Sequence, residues 1–271
     1  MKSRYSEIQK ITLSAFLMVL ATLATIFAKL SGIPFLRFVQ VSFAPAVIMF
    51  GSLALGPLYG AIIGGGSDLL GALLYPTGVF NPFYTVMAIL WGILPWCLLF
   101  LTKRWRRAMR FPIAIYVVLL LLLGALAFGF YGTDYFDSRL GDTAVWAKPV
   151  ILSIIAALDI GISIGLYFTN RYFQKSILDY PDIPSPNEVS LIATVCEIAL
   201  GIFANAGALY FYFHVLAGRP STLSYFTIAL CLVVTTSVNI LVNSFLLSWL
   251  LIFARRFGNA RGNQGDDKHG Q

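Results

Sequence analysis

Charged side chains are scarce in this chain, since Asp, Glu, Lys and Arg together make up 11% of its 271 residues. Soluble proteins carry roughly 25% charged residues, so this sequence has too few charges to cover a water-facing surface. The hydrophobic fraction is 58% and the mean hydropathy is +0.80. These values exclude an ordinary soluble domain and predict an integral membrane protein.

Residue types that carry catalysis or metal binding are also rare. There are three cysteines and two histidines. Cys97, Cys196 and Cys231 all lie inside apolar stretches without metal-ligand spacing, which is typical of buried free thiols. The sequence lacks the H-E-x-x-H and G-x-S-x-G motifs of hydrolases and the G-x-x-x-x-G-K-[ST] loop of ATPases. We therefore expect no enzyme, no cofactor, no metal and no ATP hydrolysis through such a loop.

Long apolar stretches are abundant, and eight of them are long enough, or nearly so, to cross about 30 Å of hydrocarbon. They lie at 11–30, 39–55, 58–74, 83–101, 113–131, 150–168, 189–213 and 226–253. Gly56-Pro57 alone separates the second from the third, so a tight helical hairpin is expected there. The predicted fold class is an all-α polytopic bundle of about eight transmembrane helices.

The basic residues indicate the orientation of these spans. With a cytoplasmic N-terminus, most of the nineteen Lys and Arg residues fall in cytoplasmic segments, as the positive-inside rule requires. The net charge of +7 is therefore explained by topology rather than by nucleic-acid binding. Residues 1–256 are expected to form one transmembrane domain with both termini cytoplasmic. The polar, Gly-rich tail 257–271 is expected to be disordered.

Small and acidic residues share one face of the third stretch. Gly56, Gly60 and Gly64 recur every four residues, which favours close approach of another helix, and Asp68 continues that face with Gly71 one turn later. A carboxyl inside an apolar helix faces the bundle interior or a wet cavity. Asp68 is therefore interpreted either as a paired structural carboxylate or as a functional group.

Three motifs in this region carry a family resemblance: GPLYGA at 56–61, SDLLGALLYPTG at 67–78 and NPFYT at 81–85. They resemble the substrate-binding S components of energy-coupling-factor vitamin transporters, most closely the folate-type members. The resemblance implies a multi-pass subunit of a prokaryotic cytoplasmic membrane with a six-helix core, here 11–101 and 189–253. The pair of stretches within 113–168 is extra to that core, and Asn81 stands where the family more often has an aromatic residue.

The resemblance also implies a function. Such a subunit captures a vitamin from outside and docks on an energy-coupling T component driven by two ATPase subunits. Aromatic faces, amides and one cation suit a flat ring-bearing ligand. The predicted substrate-binding residues are Arg37, Gln40, Phe43, Asp68, Tyr75, Thr77, Phe80, Asn81, Tyr84, Asn205, Asn239 and Asn243. For the asparagines of the last two stretches, hydrogen bonding between helices is the alternative interpretation.

A second small-residue face lies on the first stretch. Ala21, Ala24, Thr25 and Ala28 follow helical spacing, and the resemblance implies that this face contacts the T component. The alternative is packing inside the same subunit. A competing function is proton-coupled secondary transport of a small organic solute through the membrane-level carboxyls Asp68, Asp159 and Glu197.

Overall fold

The structure is a computed structural model that describes residues 6–30, 42–76, 79–104, 124, 144–177, 184–216 and 224–266. All regular secondary structure among the described residues is helical. Seven helices are named in chain order: α1 Glu7–Leu30, α2 Ala44–Leu55, α3 Pro57–Leu74, α4 Pro82–Arg104, α5 Ala144–Ile177, α6 Pro186–Leu216 and α7 Tyr225–Asp266. The predicted all-α class is therefore confirmed.

Five segments of the described chain are long and apolar enough to cross a membrane. These are Glu7–Leu30, Pro57–Leu74, Pro82–Thr102, Pro186–Leu216 and Thr235–Ala254. Large apolar side chains such as Phe16, Leu73 and Phe100 are exposed on the helix surfaces. Such a surface is unfavourable in water and suited to lipid, so the chain is a helical membrane protein.

The second predicted span differs from the prediction. Helix α2 covers only Ala44–Leu55, twelve residues, or about 18 Å at 1.5 Å per residue. Pro45 lies in its first turn, and the chain reverses at Gly56, whose φ of 106° suits glycine. Pro57 then opens α3 at a position where its missing N–H costs nothing. The tight hairpin expected at Gly56-Pro57 is present.

Two helices extend beyond their predicted bounds, and one predicted span is outside the described residues. The predicted span 113–131 lies outside the described residues apart from Gly124, whereas the span 150–168 lies within α5. Helix α7 continues past 253 to Asp266, into the segment expected to be a disordered tail. No proline follows Pro220 in the sequence, so nothing in the backbone chemistry forces the helix to end at the membrane boundary.

Glycines bring α3 and α4 into direct backbone contact. A Cβ built on Gly60 would collide with the backbone of Gly92, and one on Gly64 would collide with the carbonyl of Ala88. The predicted smooth face of α3 therefore exists and packs against α4. Gly71 has turned away from α4, and a Cβ there would lie 4.0 Å from the Thr25 methyl of α1.

Helix α6 contains two π-helical segments, at Glu197–Ala204 and Tyr212–Leu216. It begins with a capping box in which Ser185 and Glu188 exchange hydrogen bonds, and Pro186 occupies the first turn. Helices α6 and α7 are antiparallel, because Tyr225 reaches Phe203 while Asn243 reaches Glu197. The sequence pattern did not predict the π-helical widening.

Candidate functional site

A cavity of about 690 Å³ lies at one end of the bundle. The ends of α1, α3 and α6, the start of α4 and the connection between α3 and α4 surround it. We refer to this end as the cavity end, and it is the end predicted to face outside. The lining residues are Lys29, Asp68, Leu69, Ala72, Leu73, Tyr75, Pro76, Val79, Phe80, Asn81, Tyr84, Leu209, Tyr212 and Phe213.

The cavity brings together a cluster of the residues predicted to bind substrate: Asp68, Tyr75, Phe80, Asn81 and Tyr84. Tyr75 and Phe80 are exposed and flank the mouth, whereas Tyr84 is half-buried on the wall. Arg37, Gln40 and Thr77 lie outside the described residues. Phe43, Asn205, Asn239 and Asn243 do not line this cavity.

Asp68 is held in place by a side chain from the neighbouring helix. The Thr85 hydroxyl donates a hydrogen bond to Asp68 Oδ2 over 2.6 Å, joining α3 to α4. Asp68 is half-buried and contributes to the cavity wall. The contact leaves Oδ1 as an acceptor, so a fixed carboxylate can receive a hydrogen bond from a ligand N–H group.

Lys29 is a cavity residue that the sequence analysis missed. It occupies the last turn of α1, is half-buried and lines the same cavity as Asp68. Among the described residues Lys29 takes part in no salt bridge. The cavity therefore has a carboxylate and an ammonium group on its wall, which suits a ligand with hydrogen-bond donors and a negative charge.

Asn81 lines the cavity but its side-chain amide is already engaged. Its Oδ1 accepts a hydrogen bond from Phe83 N at 3.1 Å and caps α4, while its Nδ2 donates to Ala208 O of α6 at 3.0 Å. The side chain is buried. Asn81 is therefore a positioning residue that fixes the start of α4 against α6.

The aromatic wall comes from two distant parts of the sequence. Tyr84 of α4 faces a cavity completed by Tyr212 and Phe213 of α6. Beside it, the Phe83 and Phe211 rings lie 4.6 Å apart between centroids and tilt by 57°, a favourable arrangement for aromatic pairs. This contact joins the same two helices as Asn81.

The α7 asparagines connect helices instead of lining the cavity. Asn239 Oδ1 accepts from Ser42 N at the start of α2 over 3.3 Å, and Asn243 Nδ2 donates to Glu197 Oε1 over 2.6 Å. Both are buried, so hydrogen bonding between helices, the alternative interpretation, accounts for their positions. Asn205 is half-buried on α6.

The small face of α1 is directed at the interior of the chain. Ala21 and Ala28 are buried, and Ala24 and Thr25 are half-buried. Adjacent to them, Thr22 Oγ1 donates to Met18 O of its own helix at 2.9 Å and also lies 3.3 Å from Ser67 O of α3. The face predicted to contact a partner subunit is therefore packed against α3, because small residues let these two helices approach closely.

Comparisons with protein-family models, with curated proteins and with solved structures find no match for this chain.

Proposed function

We propose that this chain is the substrate-binding subunit of an energy-coupling-factor vitamin transporter and that it captures folate or a related vitamin. The observation that carries the proposal is the cavity lined by the motif residues Asp68, Tyr75, Asn81 and Tyr84. These residues belong to the segments on which the resemblance to folate-type S components depends. Their convergence on one cavity supports a binding role for those motifs.

The size and chemistry of the cavity support a ring-bearing vitamin. Its volume of about 690 Å³ lies within the 300–1,000 Å³ typical of small-molecule sites. In this proposal a flat heterocycle stacks among Phe80, Tyr84 and Tyr212, and Asp68 accepts hydrogen bonds from its N–H groups. Lys29 pairs with a ligand carboxylate. A folate carries both kinds of group, a donor-bearing heterocycle and a carboxylate tail.

The proposed partners follow from the same resemblance. The chain contains no P-loop motif, so ATP hydrolysis would be supplied by two ATPase subunits acting through a T component. The complex would lie in a prokaryotic cytoplasmic membrane with the cavity end outside. The small face of α1 is packed against α3, so the proposed contact with the T component would use another surface.

Isothermal titration calorimetry on the purified chain in detergent tests the vitamin assignment. We expect one folate-type ligand to bind with a single site in a panel of folate, thiamine, riboflavin, biotin and pantothenate. Asp68→Asn should weaken that binding because the heterocycle loses a charged acceptor, whereas Glu7→Gln, the same carboxylate-to-amide change at the exposed start of α1, is the matched control. Binding of none of these ligands by the folded protein would reject the proposal.

A second candidate function is proton-coupled transport of a small organic solute. The observation that favours it is Glu197, a carboxyl buried between α6 and α7. Asp68 lies at the cavity, and the side chain of Asp159 lies outside those described. Uptake into proteoliposomes driven by a pH gradient, without partner subunits, would favour this function over the vitamin-binding one.

A further inference from the structure

Glu197 lies deep in the bundle, in a region that the cavity does not use. It begins the first π-helical segment of α6 and is 1% exposed. Its Oε1 accepts a hydrogen bond of 2.6 Å from Asn243 Nδ2, near the middle of the apolar segment Thr235–Ala254. Helix widenings of this type occur often at functional sites.

No basic side chain compensates this carboxyl within the helices that pack around it. The described membrane segments of α2, α4, α6 and α7 contain no Lys or Arg, and His214 lies at the cavity end of α6. The other titratable groups of these segments are Glu188, which belongs to the capping box at the start of α6, the buried Cys196 beside Glu197, the exposed Cys97, and tyrosines nearer the cavity end. Burying an uncompensated carboxylate costs at least several kcal/mol, so a positive species must neutralise Glu197.

Oxygen atoms of two neighbouring side chains lie near this carboxyl. A Cβ built on Gly201 would lie 2.8 Å from Glu197 Oε2 and 3.4 Å from Thr236 Oγ1, so the carboxyl packs into the room that this glycine leaves, with the Thr236 hydroxyl beside it. Asn243 is fully buried, and its Oδ1 has no hydrogen-bond partner. A carboxylate, a hydroxyl and an amide oxygen are the ligand types that hard cations prefer.

Further unpartnered polar atoms lie between this carboxyl and the end of the bundle opposite the cavity. Ser244 Oγ and Ser248 Oγ of α7 are buried without a hydrogen-bond partner, and so are Ser52 Oγ of α2 and Asn170 Nδ2 of α5. Ser248 lies beyond Asn243 on α7, in the direction away from the cavity. Buried polar atoms without protein partners are typically satisfied by ordered water.

We propose that Glu197, with Asn243 and Thr236, binds an exchangeable monovalent cation, a proton or Na⁺, that enters from the end opposite the cavity. The polar residues Ser244 and Ser248 of α7 form the hydrated path to it. This proposal does not depend on the ligand of the cavity. It assigns a second site to the chain, separated from the first along α6.

Infrared difference spectroscopy on the full chain in nanodiscs tests the site, with Glu197→Gln subtracted from the unchanged protein. A proton site gives a protonated-carboxyl band that is lost in Glu197→Gln, retained in Asp68→Asn and shifted in D₂O. A Na⁺ site gives a carboxylate band that changes when Na⁺ replaces choline. A Glu197 signal that responds neither to D₂O, nor to pH, nor to Na⁺ would overturn the proposal.

A second measurement uses the unchanged chain and covers the case in which Glu197→Gln does not fold. Dicyclohexylcarbodiimide labels protonated carboxyls in apolar surroundings, and mass spectrometry locates the label. We expect labelling at Glu197, diminished by Na⁺ if Na⁺ is the occupant. Folded protein that remains unlabelled at Glu197, with and without Na⁺, over the pH range in which it is stable would contradict the proposal.

The path is tested by a matched pair of serine variants on α7. Ser248→Val removes an unpartnered hydroxyl from the path, whereas Ser237→Val removes one that is already bonded to Val233 O of its own helix. We expect Ser248→Val to slow the D₂O shift of the Glu197 band severalfold and Ser237→Val to leave it unchanged. Equal rates in both variants would rule out the path along α7.

Discussion

At the scale of single residues, the cavity depends on a carboxylate and an ammonium group that come from different helices. Asp68 was predictable because it lies within an apolar helix, where a charged side chain is unfavourable unless it is paired or faces a cavity. Lys29 was not, because a basic residue at the end of a span normally reports topology. Its place on the cavity wall follows only from how α1 packs against α3.

Replacing Lys29 tests the assignment of the anionic end of the ligand. We expect Lys29→Gln to weaken folate binding about tenfold or more, since a lost charge-assisted hydrogen bond costs about 1.5–3 kcal/mol. A pterin without the glutamate carboxylates should bind equally to both proteins, and Lys29→Arg should retain most of the folate affinity. Titration calorimetry with both ligands measures this. Unchanged folate affinity in Lys29→Gln would remove Lys29 from the binding site.

The asparagines show where residue patterns were insufficient. Asn81, Asn239 and Asn243 are equally polar residues in apolar surroundings, and the sequence could not distinguish ligand contacts from structural ones. The structure gives each at least one bond to another helix or to a helix start. Such bonds join residues up to 197 positions apart, and the separation exceeds the range of any local pattern.

At the scale of helices, the sequence predicted the α2–α3 hairpin and the small face of α3 because both depend on local chemistry. Gly56-Pro57 produces the turn, and Gly60 and Gly64 leave room for a neighbour. The identity of that neighbour was not predictable, since Gly92 and Ala88 carry no signal of contact on their own. The π-helical segments of α6 were missed because a widened turn leaves the hydrophobic pattern nearly unchanged.

The contact between α3 and α4 is tested by comparing alanine substitutions at two glycines, one in the contact and one outside it. Gly64→Ala places a methyl group against the Ala88 carbonyl, and overpacking of this kind costs about 1–3 kcal/mol. Gly161→Ala is the matched control, because no described atom lies within 4 Å of a Cβ built there and the change favours the helix by about 0.5–1 kcal/mol. We expect a lower Tm for Gly64→Ala and an equal or higher Tm for Gly161→Ala. Equal Tm values in the two variants would contradict the backbone contact.

At the scale of the whole molecule, the part of the bundle that the structure describes contains two separate polar regions of functional interest. One is the cavity, formed where α1, α3, α4 and α6 meet. The other surrounds Glu197 between α6 and α7 and extends away from the cavity. Composition predicted the membrane fold, but the division into two regions follows from tertiary packing. The described part of the predicted extra pair, 150–168, lies in α5, which packs against α6 and α7.

The two polar regions lead to opposite expectations for transport. Measuring uptake by the reconstituted chain distinguishes a binding subunit that needs ATPases from a cation-driven transporter. A binding subunit without an ATPase motif should bind folate in proteoliposomes but accumulate none, even under a pH or Na⁺ gradient. Adding a T component and two ATPase subunits with ATP inside should start accumulation of radiolabelled folate. Accumulation by the chain alone, driven by a cation gradient and abolished in Glu197→Gln, would instead make Glu197 the coupling site of a secondary transporter. In that case the cavity and the cation site would serve one cycle, in which the cation supplies the energy that ATP supplies in the proposed complex.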